Sequence, residues 1–132
     1  MELLEDYVRF VDEVTSDPSK SFPDMIHALG ILEEQGVNPA RLLTAGIGMA
    51  GECGEFNEII KKCLFQGKEM DENRIIHLRS ELGDIMWYIA QACLALNTNI
   101  EEIIEMNTVK LESRYPGGFD AFRSENRKEG DI

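Results

Sequence analysis

The residues best suited to chemistry are four carboxylates arranged as two pairs, Glu52 with Glu55 and Glu81 with Asp84. Each pair has the spacing i, i+3, which on a helix leaves the two side chains about 60° apart and one turn from each other. Met49, Phe56 and Ile60 fall on the stripe adjoining the first pair. Leu78, Leu82, Ile85, Ile89 and Leu96 mark the stripe beside the second. A carboxylate next to a core-facing stripe is costly unless it is paired or metal-bound. If the two helices pack antiparallel, the four acids meet and repel one another, and a hard divalent cation resolves the conflict. Mg²⁺, with Mn²⁺ in its place, suits an all-oxygen set. One E-x-x-E alone is usually a solvated face; two such pairs on consecutive helices, each beside an apolar stripe, are what favour a shared site. Glu58 lies to the far side of Glu55, as a peripheral ligand or a solvated acid. Lys62 returns to the acidic face and Lys61 does not, while Tyr88 and Gln91 extend the polar face of the second helix. A di-iron carboxylate site needs Glu-x-x-His on two helices; His77 is not so placed, and iron is disfavoured.

The elements that must position these acids are helical. Apolar spacing and breakers predict helices over Glu2 to Val14, from a Ser21 cap and Pro23 to Gly36, from Pro39 to Gln66, from Asp71 to Leu96, and from Ile100 to Ser113. Thr15-Ser16-Asp17-Pro18-Ser19 breaks the chain after the first, and Arg114-Tyr115-Pro116-Gly117-Gly118 turns it after the last. No stretch alternates over strand length. The expected fold is all-α, a bundle of about five helices in one domain over residues 1–122, with a charged tail over 123–132.

The totals narrow the function. Among 132 residues, 25 acids face 13 Lys and Arg, a net charge of −12. Such a field repels nucleic-acid backbones and anionic lipid, so neither is expected as a partner. It still admits a phosphorylated small molecule where metal ions reverse the charge locally. Cys53, Cys63 and Cys93 form no C-x-x-C pair and read as reduced, buried thiols of a cytoplasmic protein. No signal-like N-terminus and no membrane-spanning run is expected.

Gly46-Ile47-Gly48-Met49-Ala50-Gly51 matches the dinucleotide fingerprint G-x-G-x-x-G, but the context fails. That motif requires a preceding strand, and here the flanking pattern is helical. Gly46, Gly48, Gly51 and Gly54 inside a helix each cost about 1 kcal/mol relative to Ala. They imply either close helix packing or a gap that admits a ligand beside the acids.

At the acidic pairs the sequence resembles the MazG-like branch of the all-α nucleoside triphosphate pyrophosphohydrolases. The resemblance rests on Ala50-Gly51-Glu52-Cys53-Gly54-Glu55 with Lys61-Lys62, on Glu81-Leu82-Gly83-Asp84-Ile85-Met86-Trp87-Tyr88, and on Asn107-Thr108-Val109-Lys110-Leu111-Glu112-Ser113-Arg114-Tyr115-Pro116. It covers about Thr44 to Phe119 and is nearest to short single-domain phage and bacterial members. It implies that Glu52, Glu55, Glu81 and Asp84 bind Mg²⁺ around a triphosphate, one of them serving as the base for a water that attacks the α-phosphorus. It further implies that Lys62, Lys110 and Arg114 contact phosphates, that Asn107 and Tyr115 help place the nucleotide, and that the chain forms a homodimer or homotetramer. For Lys110 and Arg114 the plain alternative is an exposed last turn, where basic residues suit the helix dipole. The implied reaction turns a (d)NTP into a monophosphate and pyrophosphate, as nucleotide pool control. Hydrolysis of a guanosine alarmone, or a regulatory helical module without catalysis, are the alternatives. Trp87 reads as core or interface, and the segment 16–38, with His27, is expected to contribute to base specificity or to subunit contacts.

Overall fold

A computed structural model describes residues 2–118; the expected tail at 123–132 and the last residues of the expected domain lie outside them. The described residues form five α-helices: α1 (Glu2–Val14), α2 (Phe22–Glu34), α3 (Pro39–Phe65), α4 (Glu72–Ala95) and α5 (Ile100–Arg114), with a short 3-10 turn (Asp17–Ser19) after α1. The all-helical expectation holds, and that turn fills the break anticipated around Pro18.

Local chemistry fixes the ends. Side-chain oxygens of Ser21, Asn38, Asp71 and Asn99 accept hydrogen bonds from the backbone N–H groups of Asp24, Arg41, Arg74 and Glu102, each three residues on. Every one satisfies a donor that the first helical turn leaves orphaned. Pro23 and Pro39 sit in first turns, where a missing N–H costs nothing. Past the C-terminal ends, Gly36 at φ +97 and Gly67 at φ +66 take left-handed backbone that glycine adopts without strain.

α3 and α4 form a long antiparallel hairpin. Arg41 Nη1 donates to Gln91 Oε1 at 2.6 Å near its open end, and Gly48 meets Tyr88 further along. The loops at that end are tied together: Asn38 N–H donates to the Ala95 carbonyl at 3.0 Å, and Asn97 Nδ2 donates to the Gly36 carbonyl at 2.8 Å. α2 packs on α3, and α5 on α4.

The core is slight. Among the described residues only Ala45, Ile59, Cys93 and Ala95 are buried apolar positions, joined by Glu81. The stripe expected to face a core on α4 is only partly covered, since Leu78, Ile85 and Ile89 are half-buried while Leu82 and Leu96 are exposed. The reason is that the described residues supply α4 with one long partner helix, and its remaining apolar face meets solvent. α1 is extreme in this respect: Leu3, Leu4, Tyr7, Val8, Val11 and Val14 are all exposed. The cysteines depart from expectation for a similar reason. Cys93 is buried and Cys63 half-buried, but Cys53 is exposed, because a residue one step from Glu52 is turned about 100° away from α4.

Candidate metal centre

Midway along the hairpin, Glu52 and Glu55 of α3 converge with Glu81 of α4. One carboxylate oxygen from each lies within 4.8 Å of the others. The environments are graded: Glu81 is buried at 4% exposure, Glu52 is half-buried and Glu55 is exposed. The Oε2 atoms of Glu52 and Glu81 are both buried without a hydrogen-bond partner. Two ionised carboxylates brought this close cannot satisfy each other, because each can only accept hydrogen bonds.

The electrostatics follow from that crowding. The Glu52 carboxyl is pushed above its ordinary value, first by a hydrogen bond shared with Glu81, then by desolvation, then by the charges of Glu81 and Asp84. A hydrogen bond with Glu55 pulls the other way. Without a cation, Glu52 retains a proton more readily than an isolated glutamate would. A hard dication would take the place of that proton, and Glu52, Glu55 and Glu81, an all-oxygen set, fit such an ion.

The hairpin holds the acids at this depth through Gly48. A Cβ there would stand 2.0 Å from Cε1 of Tyr88, so only glycine lets the tyrosine ring lie against α3 one turn before Glu52. Of the four helical glycines, this is the one with a packing role. Nothing lies within 4 Å of a Cβ placed at Gly46, Gly51 or Gly54.

The MazG nucleotide pyrophosphohydrolase domain model matches residues 42–119, a span that contains the three converging glutamates and the whole hairpin beyond Arg41. The chain belongs to this family. Gene 37 protein of Mycobacterium phage L5 is similar, with 37% identity over 83 residues, 61% of this chain and 72% of that protein. No solved structure matches the chain. Membership places the chain among the nucleotide pyrophosphohydrolases, hydrolases that are generally dependent on a divalent metal, and the acidic cluster could hold one. No helix among the described residues is long and apolar enough to cross a membrane.

Within this MazG domain the other sequence candidates are distributed unevenly. Asp84, one turn after Glu81, is exposed and stands outside the group of three, although its charge reaches Glu52. Glu58 pairs with Lys61 at 3.0 Å on the outer side of α3, which occupies the lysine that helical geometry had set aside. Lys62 lines a cavity of about 380 Å³ with Ile59, Asp71, Asn73, Arg74 and His77, at the closed end of the hairpin. On α5, Asn107 is exposed, and Lys110, Arg114 and Tyr115 are half-buried. The Arg114 guanidinium lies 5.9 Å from the Tyr115 ring. Trp87 is not core within the protomer; it is 55% exposed and meets the Tyr88 ring edge-on at 5.0 Å.

One residue beside the site is not anticipated by the motifs. His77 fits neither a zinc nor a di-iron ligand pattern, yet its Nε2 lies 3.1 Å from Glu81 Oε1. The signal was available: the two are i, i+4 on one helix, the spacing at which side chains meet.

Proposed function

We propose that the chain hydrolyses nucleoside triphosphates, deoxynucleotides or aberrant nucleotides among them, to the monophosphate and pyrophosphate in a Mg²⁺-dependent reaction. The observation that carries this reading is the pair of buried, unpartnered carboxylate oxygens on Glu52 and Glu81, set beside Glu55. Glu52, Glu55 and Glu81 would hold the metal, with Asp84 as the further acid one turn on along α4. When bound, Mg²⁺ offsets the charge of the triphosphate and of the leaving pyrophosphate. The protein's own part is to bring water to the α-phosphorus and accept its proton on one of these carboxylates. A new P–O bond then forms to water oxygen, and the bond from the α-phosphorus to the bridging oxygen breaks toward pyrophosphate.

The cationic groups have the complementary task in this proposal. Lys62 sits one turn past Ile59 at the edge of the cavity and would contact the phosphate tail. Lys110 and Arg114 would approach from α5, with Asn107 and Tyr115 placing the nucleoside. A homodimer or homotetramer is part of the same reading, because the apolar faces of α1, α4 and α5 exceed what one protomer covers.

The test is a panel of ribo- and deoxynucleoside triphosphates and guanosine alarmones with Mg²⁺, assayed separately for pyrophosphate and orthophosphate. The proposal expects pyrophosphate and monophosphate in equal amounts. Orthophosphate as the sole product rules out attack at the α-phosphorus. Turnover confined to alarmones would replace the substrate class, and absence of both turnover and Mg²⁺ binding would leave a regulatory helical module.

A further inference from the structure

We infer that His77 is a positioning residue of the acidic site, fixing the orientation of the Glu81 carboxylate toward a cation; this rests on the reading of Glu81 as a metal ligand. The side chain of Glu81 is 5% exposed and that of His77 is 61% exposed, so the histidine stands at the solvent edge and reaches inward to a buried acid. The two atoms in contact are His77 Nε2 and Glu81 Oε1, at 3.1 Å. With Glu81 ionised, as a metal ligand must be, its carboxylate can only accept, and the hydrogen of this contact would then lie on Nε2. The contact holds Oε1 in place, and Oε2 is buried with no hydrogen-bond partner.

The geometry explains why such a partner is needed. A glutamate reaches its carboxylate through three rotatable bonds, and mutual repulsion with Glu52 and Glu55 favours rotamers that swing it away. His77 and Glu81 are one turn apart on the same helix, so the helix backbone sets their separation and the imidazole resists that swing. Partners of this kind orient the groups that ligate a metal, and losing one typically weakens affinity 10- to 100-fold. The histidine is also on the wall of the cavity that holds Lys62 and Arg74. It thus occupies the border between the acids and the cationic end of the hairpin.

The experiment measures Mn²⁺ binding by electron paramagnetic resonance, with Mn²⁺ alone as the probe, on the full chain at one fixed pH. Wild type, His77→Ala, His77→Gln and Glu81→Ala are compared, with thermal unfolding in EDTA as the folding control. His77→Ala is expected to bind Mn²⁺ about 10- to 100-fold more weakly while unfolding at nearly the wild-type temperature, since its side chain is mostly exposed. His77→Gln, whose amide N–H reaches about as far as Nε2, is expected to recover most of the affinity. Wild-type affinity in His77→Ala, or no recovery in His77→Gln, overturns the inference while leaving Glu81 as a ligand. Undiminished binding in Glu81→Ala instead removes the reading on which the inference stands.

Discussion

Substituting the glycines of α3 one at a time separates packing from helix propensity at the heart of the site. Gly46, Gly48 and Gly51 share one helix, yet a Cβ at Gly48 would stand 2.0 to 2.3 Å from three atoms of the Tyr88 ring, whereas at Gly46 and Gly51 it meets nothing within 4 Å. Alanine in a helix interior is worth about 1 kcal/mol over glycine. Gly46→Ala and Gly51→Ala should therefore stabilise the chain by about 0.5 to 1 kcal/mol. At Gly48 the same gain is opposed by an overpacking cost of about 1 to 3 kcal/mol, because the half-buried tyrosine must turn about χ1 or the helices must part. The net expectation is a loss of about 1 kcal/mol, or about 3 to 5 °C in melting temperature for a chain of this size. Glu52 is one turn from Gly48, so parting the helices also spreads Glu52 from Glu81. Displacement of that order costs turnover about 10- to 100-fold. Thermal unfolding in EDTA reads the stability, and pyrophosphate release reads the site. Gly48→Ala with wild-type stability and turnover would refute the role assigned to the tyrosine contact. Destabilisation by Gly46→Ala would show that something packs against that face after all.

Further perturbations probe the acids and their support. Glu55→Ala and Asp84→Ala should each abolish detectable turnover while far-UV circular dichroism stays near wild type; substantial residual turnover would place the chemistry elsewhere. Adding Mg²⁺ to EDTA-treated protein should raise the melting temperature, by about 2.7 kcal/mol of stability at one hundred times the dissociation constant, and Glu81→Ala should show no such rise. The pH dependence has a definite sign. The folded state raises Glu52 above its ordinary 4.5 and so binds the proton more tightly than the unfolded chain. Metal-free stability is lost as pH rises from 4.5 through the raised value, and Mn²⁺ affinity grows over the same window. Glu52→Gln should flatten both profiles, as urea unfolding and metal titration across that range would show. At the start of α4, Asp71→Ala removes the acceptor for Arg74 N–H at 2.9 Å and for Arg74 Nη1 at 3.2 Å; a loss of about 1 kcal/mol is expected in urea unfolding.

What was legible in the sequence was local. Caps, prolines and glycines act within a turn of their own position, so Ser21, Asn38, Asp71 and Asn99 announced their helices, and Gly36 and Gly67 announced the stops. The acidic pairs were legible because i, i+3 spacing on a rigid helix fixes relative direction wherever the helix goes. Rejecting the glycine fingerprint depended on the same logic, since a phosphate loop needs a strand that the flanking residues cannot form. What failed to show was decided by neighbours. The apolar stripe of α4 has the period of a buried face, but period alone cannot tell which helix covers it, and Leu82 and Leu96 remain exposed in the protomer. Cys53 is apolar enough for a core, yet it shares a turn with a residue that faces α4 and so is itself directed outward.

The unequal fate of the four acids carries the same lesson into the site. Spacing makes Glu52, Glu55, Glu81 and Asp84 equivalent, and folding does not. Glu81 is buried on the side of α4 that meets Glu52 and Glu55, and Asp84, one turn on, is exposed. The result is one acid with almost no solvent, one shared with it at the boundary, and two accessible from outside. A cation arriving from solvent meets the exposed carboxylates first and the unpartnered oxygens of Glu52 and Glu81 last. That gradient is invisible to a helical wheel, which has angle but no depth. It also makes Glu81 the acid whose orientation solvent can least correct, and it is the Oε1 of this acid that lies 3.1 Å from His77 Nε2.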